Sequence, residues 1–213
     1  MRVIINKDPY IKGSVKDLID PPVIIRVSEI TEFAAKEFSR QMTEAYNTGQ
    51  DVIPVVIDSF GGDAYALLSM LSDIESSKLP VVTVCVGKAM SAGAILLAHG
   101  IPGGRFIDPA ATVMIHEVST SNWWAKLSDL KVDVAEISRL NNILFNKMAY
   151  ACGHKDRNFF LKLIEKKHNI DLYINAFEAH KLKIVDQLGV PEFRVTISSK
   201  VEFCFDKPKI RKK

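Results

Sequence analysis

Gly87-Lys-Ala-Met-Ser-Ala-Gly-Ala-Ile-Leu-Leu-Ala-His99 follows directly on the apolar run Val81 to Val86, and the junction between the two decides how the chain is read. The run before it is β-like in composition. From Ser91 onward small residues take over with helical character. A serine there stands at a helix N-terminus, where unpaired backbone N–H groups and the positive end of the helix dipole favour negative charge. A nucleophile whose attack on a carbonyl creates an oxyanion is well served at such a place. Serine is also a preferred N-cap residue, so for Ser91 alone a helix cap is the simpler expectation.

Working outward, Val23 to Val27 reads as a short strand rich in β-branched residues. Ser28 is the expected cap of a helix with Phe33, Ala34, Phe38, Met42 and Ala45 at helical spacing and Gly49 as its stop. Val52 to Ile57 is a second strand, with Pro54 arguing for an edge or early position. Asp58-Ser-Phe-Gly-Gly62 is a turn, Tyr65 to Glu75 a helix, and Val81 to Val86 a third strand. Past the turn-rich Gly100-Ile-Pro-Gly-Gly104, Thr112 to His116 is a fourth. Strands alternating with helices at these lengths predict repeated β/α units and a largely parallel sheet. Leu127, Leu130, Val134, Ile137, Asn141, Leu144 and Met148 form one apolar stripe, which predicts a helix over about 126–151 ended by Gly153. Such a helix is long for a chain of this size and invites burial against another copy, although packing on its own sheet explains the periodicity equally well. A shorter helix covers Arg157 to Lys167, another begins at Ala176, and Arg194–Ile197 and Val201–Phe205 read as terminal strands. The reading divides the chain into an N-terminal arm (1–21), a main domain (22–193) and C-terminal strands with a basic tail (194–213).

With 213 residues, 47% hydrophobic and 25% charged, the chain suffices for one well-buried core, or one core with an appendage. The formal charge of +3 comes largely from the final Lys207-Pro-Lys-Ile-Arg-Lys-Lys213, so nucleic-acid binding is not expected. Cys85, Cys152 and Cys204 have no metal-type spacing, and Cys85 lies in an apolar run. No metal or cofactor is implied, and a reducing cytoplasm is the expected setting. With neither an apolar leader core nor a run of membrane-spanning length, no membrane partner is expected.

Serine hydrolysis needs a nucleophile, an imidazole to take its proton, a carboxylate to orient that imidazole, and N–H donors for the oxyanion. Ser91 is the candidate nucleophile. His116 stands at the C-terminal end of a predicted strand, where sheets of this type present functional groups. Gly61-Gly62 follows another strand end, and its backbone can approach a substrate closely. Asp58, Asp63, Asp108, Glu117, Asp171 and Asp186 all remain open as the carboxylate, because spacing does not choose among them.

Ile57-Asp-Ser-Phe-Gly-Gly62, Ala89-Met-Ser-Ala-Gly93, Val113-Met-Ile-His116 and Asp171-Leu-Tyr-Ile-Asn-Ala-Phe-Glu-Ala179 resemble successive blocks of the ClpP family, the proteolytic subunits of Clp proteases, over roughly residues 22–190. The resemblance implies an α/β spiral core of crotonase-like type with a protruding handle helix, and serine endopeptidase activity on peptides or unfolded proteins. It implies Ser91 as nucleophile, His116 as general base and Asp171 as its orienting carboxylate, with the backbone N–H groups of Gly62 and Ala92 as oxyanion donors. It further implies a homo-oligomer of seven-membered rings, often stacked in pairs, served by an AAA+ unfoldase.

Several positions depart from the family's pattern. Phe60 stands where a proline is usual in the Ser-Pro-Gly-Gly turn, and Ile170 replaces an arginine that bridges stacked rings. The segment after His116 carries Trp123-Trp124, and the arm before Pro21 does not match the family's axial loop. The unfoldase partner therefore follows less directly than the chemistry does. Such divergence suits a phage-encoded relative acting in the host cytoplasm. A prohead protease working without an ATPase, and a catalytically silent assembly subunit that modulates a host protease, are the alternatives. A crotonase-like acyl-CoA enzyme shares the fold but has no use for a Ser-His-Asp set.

Overall fold

The computed structural model describes residues 3–7, 22–119, 126–168 and 171–197. The chain divides into two units. In the smaller one, strands β1 (Val3–Lys7) and β9 (Phe193–Ile197) pair in parallel from Val3↔Phe193 to Lys7↔Ile197. Segments that the sequence sets apart as arm and tail are thus joined by a ladder that no local pattern announces. Val201–Phe205, Trp123-Trp124, Ile170 and Cys204 lie outside the described residues.

The larger unit, Pro21–Pro191, is built on a mostly parallel sheet. Strands β2 (Ile25–Val27), β3 (Ile53–Ser59), β4 (Val81–Met90), β5 (Arg105–Ile107) and β8 (Gln187–Leu188) lie side by side in that order. The distal half of β4 pairs instead with β6 (Thr112–Ile115), which takes β7 (Leu172–Asn175) antiparallel. The alternation of sheet and helix predicted from the sequence is present, with three strands added that their brevity hid. Pro54 is the second residue of β3, the early position its residue type favours, although the strand itself is interior to the sheet. The proline does no harm there because β2 begins pairing one residue later, at Val55.

Helix α1 (Glu32–Asn47) buries Ala35, Phe38, Met42 and Ala45. Its cap is Thr31, whose side chain accepts the Ala34 N–H, and not Ser28. Phe33 falls off the buried face and is exposed. Helix α2 (Ala64–Ser76) is capped by Asp63, and α3 (Ala92–Ala98) is buried along its whole length. Helix α4 (Leu127–Ala151) spends its stripe in two ways. Of the stripe, Leu144 and Met148 enter the core together with Leu140 and Phe145, while Leu130 and Val134 stay exposed on the first turns beside Val132. Helices α5 (Phe159–Lys166) and α6 (Ala176–Lys181) close the unit, α6 through a reciprocal capping box between Asn175 and Glu178. No helix among the described residues is long and apolar enough to cross a membrane.

Candidate active site

Strand β4 does not stop at Val86 as its composition suggests. It continues to Met90 and delivers Ser91 at the strand–helix junction. Ser91 adopts φ 53°, ψ −121°, a conformation that costs a non-glycine residue energy and persists only where the surroundings impose it. Here its N–H donates to the Met114 carbonyl at 2.7 Å, and its carbonyl accepts the Ala94 N–H at 3.0 Å. Its side chain makes no capping hydrogen bond to α3. Ser91 therefore occupies the N-cap position of α3 without supplying the side-chain cap that its residue type favours.

The strained turn is accommodated by Gly61, at φ +101°. A Cβ there would come within 2.8 Å of both Ser91 Cβ and the Met90 carbonyl oxygen, so only glycine allows so close an approach. Next to it, Ile30 forms a parallel bridge with Gly62. The Ile30 N–H donates to Gly61 and the Ile30 carbonyl accepts from Asp63, at 3.1 and 2.7 Å. In that pattern the N–H of Gly62 itself turns to the side away from Ile30. Ala92 opens α3, so its N–H has no intrahelical acceptor.

Gly62, Ser91, Ala92 and His116 line one cavity of about 390 Å³. The imidazole of His116, one residue past β6, bonds through Nδ1 to the Glu117 carbonyl oxygen. A carbonyl only accepts, so Nδ1 carries the proton and Nε2 is left as the acceptor nitrogen, the tautomer a general base needs. Asp171 is exposed and makes no hydrogen bond to His116. The β6–β7 ladder ends at Ile115↔Leu172, so His116 and Asp171 each lie one residue beyond it, and Asp171 is not among the residues that line the cavity with His116.

Four of the five competing carboxylates, all but Glu117, have other partners. Asp58 bonds Lys88, Asp63 caps α2, Asp108 accepts the Ala110 N–H, and Asp186 holds Arg105. The cavity wall also contains residues that sequence reading did not assign to it. Ile95 comes from α3, and Asp133, Glu136, Ile137, Leu140, Leu144 and Phe145 come from α4. Of these only Ile137 and Leu144 belong to the apolar stripe, which revealed a helix but not what its face looks onto. Tyr65 donates to Glu136 at 2.6 Å, and Arg139 forks the same carboxylate at 2.7 Å through each nitrogen. The bonds from Arg139 and then Tyr65 hold the Glu136 carboxyl down at about 2. Among the described residues no cluster of His, Cys, Asp or Glu is placed to hold a metal ion.

The family model for Clp protease matches residues 7–192. The chain belongs to the Clp protease family. Among similar curated proteins is the ATP-dependent Clp protease proteolytic subunit 1 of Rhodococcus jostii, 30% identical over 185 residues, 86% of this chain and 79% of that protein. Its counterpart in Corynebacterium glutamicum is 30% identical over 85% of this chain and 83% of its own length. That of Bifidobacterium longum is 27% identical over 88% and 80%. The activity is accordingly that of a ClpP-type serine peptidase, and the α/β spiral with a long helix is the family's fold. An acyl-CoA enzyme of crotonase type is thereby set aside.

Proposed function

We propose that Ser91, His116 and Asp171 form the catalytic triad of this peptidase, with the backbone N–H groups of Gly62 and Ala92 as its oxyanion hole. The observation that carries the reading is the state of Ser91. It is held at a strained strand–helix turn, released from capping, and shares a cavity with His116 and Gly62. His116 Nε2 accepts the hydroxyl proton as Ser91 Oγ attacks a peptide carbonyl. The charge that develops is taken by the two amides, each worth about 3 kcal/mol in the transition state. His116 then passes the proton to the leaving amine, and water releases the acyl group by the reverse route. Asp171, which like His116 lies one residue beyond the β6–β7 ladder, accepts the Nδ1–H in place of the Glu117 carbonyl when the site is engaged.

The substrates are peptides or unfolded proteins, reached inside a homo-oligomeric ring in a reducing cytoplasm. A Clp-type AAA+ unfoldase is the partner that would feed folded proteins to it. The hold of Glu117 on Nδ1 also favours a second reading, an assembly subunit whose triad does not engage. Treating the purified protein, Ser91→Ala and His116→Ala with a fluorophosphonate probe separates the two, with casein and short peptides assayed alongside. Labelling and cleavage by the parent, lost in both variants, support the peptidase. An intact ring that neither labels nor cleaves supports the silent subunit, and labelling that survives Ser91→Ala removes Ser91 as nucleophile.

A further inference from the structure

The turn that carries Gly62 lacks the proline usual in its family, and Phe60 in its place does not fix its own φ. Burial does not fix it either, since the side chain is 72% exposed. The ring is nevertheless held. Lys88 Nζ stands 4.3 Å above its centroid and 2.8 Å from Asp58 Oδ1, so one ammonium grips the residues on both sides of Ser59.

Lys88 reaches that position because β4 bulges. Ile57 pairs with Cys85 but Ser59 pairs with Ala89, so Asp58 alone faces Val86, Gly87 and Lys88. Gly87 leaves room for the carboxylate: a Cβ there would come within 2.8 Å of Asp58 Oδ1. On the inner side, the buried Ser59 hydroxyl accepts the Gly61 N–H at 3.0 Å, and Ile30 clasps Gly61 and Asp63. Gly62 thus sits in a turn braced from within by Ser59 and Ile30 and from outside by Lys88.

We propose that Lys88 is a positioning residue for peptide hydrolysis. By binding Asp58 and Phe60 together it supplies the rigidity that proline would give, and so keeps the Gly62 N–H aimed at the developing oxyanion. This rests on Gly62 being an oxyanion donor, as proposed above. An ion pair this exposed, with the Asp58 side chain 52% accessible, adds little to stability. Catalysis is less forgiving, since a small misplacement of a transition-state donor is felt directly in rate.

The test compares the parent with Lys88→Met, Lys88→Arg and the double variant Lys88→Met/Phe60→Pro. Steady-state kinetics on a fluorogenic peptide, the rate of fluorophosphonate labelling and the thermal midpoint are measured for each. Lys88→Met is expected to lower kcat and the labelling rate about tenfold while KM stays within about twofold, because the lost interaction acts in the transition state. Its thermal midpoint should match the parent's. Lys88→Arg should retain activity, because a guanidinium can make both contacts. Adding Phe60→Pro should restore most of what Lys88→Met loses, by fixing the turn independently. A Lys88→Met protein with the parent's kcat overturns the proposal while Ser91-dependent labelling leaves the active site standing. A loss that follows the thermal midpoint and is not recovered by Phe60→Pro overturns it too. Labelling of Ser91→Ala at the parent's rate removes the site and the proposal together.

Discussion

At Ser91 local preference and tertiary demand point in opposite directions. The residue type favours capping α3, and the fold denies it by twisting the backbone to φ 53°. Gly61 makes that twist affordable in space, so Gly61→Ala is expected to cost about 1–3 kcal/mol and at least about a hundredfold in peptide hydrolysis. Urea unfolding and peptidase kinetics measure the two effects. A second residue-scale prediction concerns His99, buried at the end of α3. Its Nδ1–H donates to the Ile95 carbonyl at 2.7 Å, its Nε2 has no hydrogen-bond partner, and Glu75 Oε1 is 4.0 Å away. Burial is the largest influence and pushes its pKa below the ordinary value, with Lys147 and Arg105 adding to it and the Ile95 carbonyl and Glu75 opposing. The unfolded chain therefore takes up this proton first as pH falls. The native state loses stability as pH falls below about 6.5 until the folded pKa is reached, and above about pH 6.5 this group has no effect. Thermal melts from pH 7.5 to 5 should show that slope, reduced in His99→Gln; equal slopes in the two proteins would remove His99 as its source.

Among the elements, α4 divides its work along its length. Phe145, 1% exposed, belongs to the core and to the cavity wall, so Phe145→Ala should cost about 3–5 kcal/mol in urea unfolding. Val132 is 69% exposed on the first turns, and Val132→Asp should leave protomer stability within about 0.5 kcal/mol. The same change is expected to reduce the size of the assembly in light scattering, because it puts charge on the apolar stretch available to another copy. The periodic stripe disclosed this helix almost to the residue, since 25 residues at 3.6 per turn leave a strong pattern. Strands β5, β7 and β8 have three, four and two residues, too few for alternation to show. Thr31 displaced Ser28 as the α1 cap because Ile30 is committed to its bridge with Gly62, which delays the helix start.

Across the whole unit, the buried Arg105 ties together parts far apart in the chain. It donates to Asp186 at 2.8 and 2.5 Å and to the carbonyls of Ala98 and Ala151, joining the ends of α3 and α4 to the segment before β8. Burial would raise the Asp186 carboxyl, but the bonds and charge of Arg105 outweigh it and hold the group below its usual range. Arg105→Met strands that carboxylate and should cost about 3 kcal/mol, read by urea unfolding at pH 7. The penalty should shrink in Arg105→Met/Asp186→Asn, and an additive double variant would mean the two side chains are not coupled. The sequence by itself determined the β/α alternation, the long helix and membership of a peptidase family, because these are written in periodicities and in blocks of adjacent residues. Only the tertiary structure decided that Ser91 leaves α3 without a side-chain cap, that Gly62, Ser91, Ala92 and His116 line one cavity, and that Ile137 and Leu144 of the long stripe face it. Each of those outcomes depends on strand register and on contacts between residues tens of positions apart, and local side-chain preference carries no information about either.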